Sequence, residues 1–207
     1  MDQRARFDDF DELVETIRDA VQAKIRKGGP MMIAEDSADG HTVKLQPLVK
    51  AVVKALDGTV SLEELPTLPD APVHFMGGGG ITTTFGLKKG DEAIGIHLDA
   101  NFDAWHQQGG IQTPNDARIH NLTDTICIPG VRSDPNKLKG VSPDSTQTRT
   151  DDKQSLHDVS HTAITTVREF AVQQVNGAAI QSELKGARHV IDPKSILTLA
   201  SKILLNC

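Results

Sequence analysis

Between residues 8 and 27 apolar side chains fall at Phe10, Leu13, Val14, Ile17, Val21 and Ile25, the 3–4 spacing of one helix face. Asp8 or Asp9 can cap this helix, Glu12 falls in its first turn, and Arg26 and Lys27 close its last turn. Each charge has the sign the helix dipole favours. Gly28-Gly29-Pro30 then stops it. The stripe has to be buried, either on its own domain or against a partner subunit or further copies of itself.

From Met31 the rhythm shortens to that of strands. Thr42 to Val49 alternates, Val49 to Leu56 continues the apolar beat, and Asp57-Gly58 is a turn before Val60-Ser61-Leu62. Leu65 to Pro72 holds three prolines, which exclude a central strand and predict an extended connector. Val73 to Met76, Ile81 to Phe85, Glu92 to Leu98 and Asp124 to Ile128 are further short strands. Gly77 to Gly80 and Lys88-Lys89-Gly90-Asp91 punctuate them. Asp99 to Leu122 is polar and predicts a long surface loop. About five short strands over about 100 residues fit a small barrel or sandwich, and five is the count of an OB-type barrel.

Residues 133–160 are polar and predict a linker. The segment from Thr162 repeats in eights. Ile164, Val172, Ile180 and Ile196 occupy the third place of most units, with Val167, Val175, Leu184, Ile191 and Leu199 later in them. Such a period is the mark of a stacked or intertwined β structure. An amphipathic helix over 163–174 is the competing expectation, weakened by Thr162, Ile164, Thr165, Thr166 and Val167, which are all β-branched. Some 45 residues of strands bury little surface alone and leave edges open, so the tail predicts self-association, with three copies supplying each other's missing partners.

Composition narrows the function. Apolar residues make up 38% of the chain and charged ones 24%, a globular balance. A net charge of −6, a pI near 5.7 and only 3% aromatics oppose binding to nucleic acid, which needs a basic face and stacking platforms. No apolar run reaches the roughly 20 residues of a membrane span. The opening residues carry no apolar signal core, which predicts that the chain starts in the cytosol.

In order along residues 12 to 132, several segments resemble a known family. They are Val43-Lys44-Leu45-Gln46-Pro47-Leu48-Val49, the entry from Leu65-Pro66 to Pro72-Val73-His74-Phe75, and the Gly77 to Gly80 run. Leu87 to Asp91 with Ile94-Gly95-Ile96 and Phe102-Asp103-Ala104-Trp105 follow. Arg118-Ile119-His120-Asn121-Leu122-Thr123-Asp124 then runs into Ile128-Pro129-Gly130. This order resembles the N-terminal domain of the phage membrane-puncturing spike family, the central spike of contractile-tail baseplates. The resemblance implies a mainly β chain: an N-terminal helix (1–30), an OB-fold barrel (31–132), a linker (133–160) and a C-terminal intertwined trimeric β-helix or β-prism (161–207). It also implies a homotrimer at the baseplate tip of a virion. The barrels dock on baseplate hub proteins, and the tip pierces the host cell envelope when the sheath contracts.

Spikes of this family can end in a His-x-His iron site, and that pair is missing here. In a parallel trimer three Cys207 thiols, one per subunit, would converge on the three-fold axis and could hold a metal ion or an iron–sulfur centre. A free terminal cysteine is the plainer expectation. Cys127, inside Ile126-Cys127-Ile128, is expected to be a buried thiol. Gly77 to Gly80 lacks the Lys-Ser/Thr and the helix start of a phosphate loop, so a glycine turn is expected. His157 and His161 stand at i, i+4 and could share a metal only on a helix, and His120 is expected to be structural. Asp151-Asp152 lies in the predicted linker, and no nucleophile elbow or His-Glu-x-x-His is present. The sequence therefore predicts a structural protein and not an enzyme. The rivals are an OB-fold binding module for glycan or nucleic acid and a metal-dependent enzyme.

Overall fold

The computed structural model describes residues 3–25, 27–37, 39–55 and 58–199. The chain divides into two compact units, Met1–Pro135 and Asn136–Cys207.

In the first unit, α1 spans Gln3–Lys24. It starts before Asp8 because Gln3-Arg4-Ala5-Arg6 are good helix formers that continue the turn upstream. Gly28-Gly29-Pro30 does not only stop the helix. It opens β1 (Gly28–Ile33), which pairs antiparallel with β2 (Thr42–Pro47) on one side and β8 (Glu92–His97) on the other. Glycine is needed at 28, since its φ is +148° and a Cβ there would collide with the Gly95 carbonyl. β5 (Leu68–Pro72) pairs with β2, and β9 (Thr125–Pro129) with β8, giving the sheet order β5-β2-β1-β8-β9. The prolines of β5 did not prevent a strand. Its register against β2 slips between Val43 and Leu45, Asp70 takes a φ of +50°, and the strand sits at an end of the sheet. Bulges and edges are where a missing ladder donor is tolerated.

The ends of this sheet approach each other. Val73 bridges Cys127 in parallel, and His74 N–H donates to the Cys127 carbonyl at 2.8 Å. The result is a nearly closed barrel. Met31, Ile33, Val43, Leu45, Leu68, Ala71, Ala93 and Cys127 fill it, with Val73, Leu87 and Leu122 packed against them. Two small hairpins hang from it: β3 (Ala51–Lys54) with β4 (Val60–Glu63), and β6 (Gly77–Gly78) with β7 (Ile81–Thr82). Of the Asp57-Gly58 turn, Asp57 lies outside the described residues. Gly79 and Gly80 have φ of +59° and +82°, the paired left-handed residues of a tight hairpin turn. The predicted glycine turn is therefore correct. The predicted loop 99–122 contains a helix, α2 (Asp103–Gln108). Six polar-rich residues are too few to show a period, and Asn101 Oδ1 starts the turn by accepting Asp103 N–H at 3.1 Å.

The described residues of the second unit form one antiparallel meander of seven strands. They are β10 (Ser145–Arg149), β11 (Ser155–Ser160), β12 (Ala163–Arg168), β13 (Ala171–Asn176), β14 (Ile180–Leu184), β15 (Ala187–Ile191) and β16 (Ile196–Leu199). Residues 163–174 are strands, as favoured over a helix. The segment 133–160, expected as a linker, carries β10 and β11. β10 (Ser-Thr-Gln-Thr-Arg) has no apolar residue to reveal it, and β11 has only Leu156 and Val159, which fall on opposite faces.

The true repeat is a sixteen-residue hairpin, twice the octad. Lys153, Glu169 and Lys185 carry left-handed φ of 60°, 51° and 47° at one set of turns. At the other set Ser160, Asn176 and Asp192 take the same place. Ser160 Oγ accepts Ala163 N–H at 3.1 Å, Asn176 Oδ1 accepts Ala179 N–H at 2.9 Å, and Asp192 Oδ1 accepts Ser195 N–H at 2.8 Å. These side chains replace a backbone turn bond. The same bonds hold the Asp192 carboxyl below its ordinary range, with Lys194 N–H the largest cause.

Leu45 is fully buried in the barrel, so Leu45→Ala should destabilise this unit by about 2–5 kcal/mol. A urea midpoint shift smaller than that of Val52→Ala, an exposed hairpin position, would contradict the assigned core.

Candidate interaction surfaces

The Arg-x-His-x-Leu-x-Asp block forms a buckle across the barrel's polar end. The Arg118 guanidinium grips Asp124, whose side chain is fully buried, through Nε and Nη2, both at 2.8 Å. It also reaches Asp103 at 2.8 Å and Asp116 at 3.0 Å. The hydrogen bond to Asp124, set against the cost of burial, drives the Arg118 pKa up. Burial pushes the Asp103 carboxyl upward, but hydrogen bonds from Asn101 and Arg118 outweigh it and hold that group below its ordinary range. Within the block, His120 adopts a φ of +49°, Asn121 Oδ1 accepts Thr123 N–H at 3.0 Å, and Leu122 packs on the core. Every member shapes the chain, which supports the structural role expected for His120. A cleft of about 390 Å³ beside it is lined by Pro69, Phe102, Asp103, His106, Arg118 and Thr123.

The other candidates separate. Cys127 is buried with its thiol pKa pushed up to about 11 by that burial, so it is an unreactive core group. His157 lies in β11 and His161 in the turn after it, so the helical i, i+4 metal pair does not form. Along an extended strand two residues four apart share a side but stand about 13 Å apart, too far to share one ion. Asp152 is spent on its own turn, accepting from Thr150 Oγ1 and Gln154 N–H. Cys207 lies outside the described residues. Among the described residues of one chain, no three His, Cys, Asp or Glu side chains gather as a metal would need.

Exposed apolar side chains gather on α1 and on the seven-stranded sheet. On α1 Phe10, Leu13, Val14, Ile17 and Val21 are all exposed. In the second unit none of the described residues from 136 onward is fully buried. Directly opposed residues share a face, and the strand registers place Val159, Ile164, Val175, Ile180, Ile191 and Ile196 side by side across six strands. This ridge is unbroken, and its members are 39–72% exposed. Two residues along each strand comes a second row on the same face: Thr148, His157, Thr166, Gln173, Ser182, His189 and Thr198. Beyond it lie Ala171, Leu184 and Ala187, which line a concavity of about 540 Å³. One face therefore carries a branched ridge, a polar midline and a shallow groove. The sequence showed the apolar period but not the face, because face assignment needs the turn lengths.

Residues 30–130 match the family described as the phage protein Gp138 N-terminal domain. That span runs from the third residue of β1 to the residue after β9, so it covers the barrel and stops short of α1 and the seven-stranded sheet. No curated protein matches the chain.

Arg118→Ala should destabilise the barrel by about 3–5 kcal/mol, because it strands the buried Asp124 carboxylate. A loss below about 1 kcal/mol in chemical denaturation would refute the buckle. The Asp103 share has a definite sign. A depressed folded pKa stabilises above the unfolded value of about 3.9 and is lost as pH falls through the folded one. Acid titration should therefore weaken the parent barrel below about pH 4, and Asp103→Asn should flatten that slope.

Proposed function

Because residues 30–130 match that phage family, we propose that the chain is the central spike subunit of a contractile-tail baseplate. It acts as a homotrimer that docks on baseplate hub proteins and pierces the host outer envelope on sheath contraction. The role is mechanical and non-enzymatic, in a virion and without nucleic acid. The barrel is the docking end and has OB-type connectivity. Around it the strands run β1, β2, β5, β9, β8 and back to β1, with β5 and β9 meeting in parallel at Val73 and Cys127.

The observation that carries the trimer is the ridge beside the groove on one open sheet face. A sheet wet on both sides has backbone bonds but no core to offset an ordering cost of about 1–2 kcal/mol per residue. Packing the Val/Ile ridge of one chain into the Ala171, Leu184, Ala187 groove of the next buries both. Each such residue gains on the order of 1 kcal/mol, part of the roughly 1.5–3 kcal/mol of full burial. Ridge-to-groove contact is heterologous, and a heterologous contact that closes makes a ring. Three sheets closing this way form a triangular prism, the C-terminal β-prism of the spike, with strands across its axis and polar midlines facing inward.

Light scattering with inline chromatography should give three times the chain mass. Ile180→Asp, at the middle of the ridge, should reduce the complex to monomers, while Glu63→Lys on the exposed β3–β4 hairpin should leave it intact. A monomeric parent, or a trimer indifferent to Ile180→Asp, would defeat the proposal.

A further inference from the structure

The polar midline has its own chemistry. His157 and His189 occupy the same place in the first and third hairpins of the repeat, and Gln173 takes it in the second. Each histidine faces a hydroxyl across its hairpin: His157 Nδ1 lies 3.1 Å from Thr166 Oγ1 and His189 Nδ1 lies 2.8 Å from Thr198 Oγ1. In the middle hairpin Gln173 is opposite Ser182. A threonine oxygen that accepts from Nδ1–H fixes the ring and turns the Nε2 lone pair outward, the support that metal-binding histidines ordinarily have. Both rings stand on the face that carries the ridge and groove, in its central row.

One chain holds only one histidine at each level, and the levels are four strands apart, about 19 Å at 4.7–4.9 Å per strand. No single chain can chelate a metal with them. Resting on the trimer reading above, we propose that the spike shaft holds two transition-metal sites on its axis. One is made by three copies of His157 and the other by three copies of His189. A three-imidazole set with an open axial position is a donor set that suits zinc, nickel or cobalt. Three-fold symmetry brings identical rings to one level, which a helical pair within the chain could not do. Between the two levels the Gln173 and Ser182 rows keep the midline polar and offer amide and hydroxyl groups in place of imidazole.

Binding is coordination of neutral imidazoles to a cation, with no electron transferred. Zinc bound at these levels ties three chains together and adds stability to the trimer alone.

The test uses the untagged full chain, zinc chloride as the probe, equilibrium dialysis with elemental analysis, and mass in solution on the same samples. His157→Gln and His189→Gln adopt the residue the repeat itself carries at 173, so the hairpins should fold. Each variant is expected to bind one zinc fewer per trimer than the parent, and the double variant two fewer. The thermal midpoint of the parent should rise with zinc by more than that of the double variant. A double variant that stays trimeric and binds as much zinc as the parent overturns the inference and leaves the trimer standing. A parent that is monomeric overturns both, and the mass measurement tells the two failures apart.

Discussion

Side chains on a strand alternate faces with period two, and in an antiparallel meander every turn decides which parity looks which way. Ile164 sits opposite Val175, and Ile180 opposite both Val175 and Ile191. The residue numbers on one face are therefore even in β12 and β14 and odd in β13 and β15. A feature repeated every eight residues must change face at each strand, while one repeated every sixteen does not. The ridge, the midline and the groove all depend on this constraint. Shifting one turn by one residue would move half of the ridge to the opposite face. The turns are correspondingly fixed. Ser160, Asn176 and Asp192 bind the backbone across one end of each hairpin, and left-handed residues at 153, 169 and 185 set the other.

The barrel obeys a different rule, since it closes on itself and owns its core. Eight buried apolar residues point inward from all five strands, and the edges meet at the Val73–Cys127 bridge. Its one expensive feature is the buried Asp124, which the bidentate Arg118 compensates. A buried carboxylate with its partner fixed in two directions tolerates few geometries, so the pair also holds the segment from Asp116 to Thr125 in register.

Much of this was legible in the sequence, and the gaps have physical causes. Alternation revealed β2 and β8, the apolar stripe revealed α1, and the glycine run announced its turn. Strand β5 was hidden because proline argues against a ladder, and only the bulge at Asp70 makes room for it. Helix α2 was hidden by its length, β10 by its lack of apolar residues, and β11 by having a single apolar residue on each face. The octad was visible, yet its units were assigned one role, although Val172 and Ile164 lie on opposite faces. The Arg118 network joins residues up to 15 apart in sequence, which pattern reading along the chain cannot pair. Of the sequence candidates for chemistry, Cys127 proved a core thiol, and His157 and His161 fell in a strand and in the turn after it. His157 recurs as His189 two repeats away, a correspondence that only the sixteen-residue hairpin makes visible.

On the proposed spike axis the hydrogen-bonding direction of the sheet becomes the direction of load. Strands lie across that axis and stack along it at 4.7–4.9 Å, a spacing set by backbone contact that cannot be shortened without breaking ladder geometry. In the proposed trimer compression would be carried from strand to strand by the backbone itself, while ridge-and-groove packing would resist buckling by keeping three sheets in contact. Tight hairpins suit such a shaft, because a long loop would add slack at the edge and no stiffness along the axis. The side chains are left to set cohesion between chains. A ridge of branched residues with few rotamers, Ile and Val in place of Leu or Met, loses little freedom when a neighbour covers it. The same choice that suits a strand thus also lowers the cost of assembling three copies.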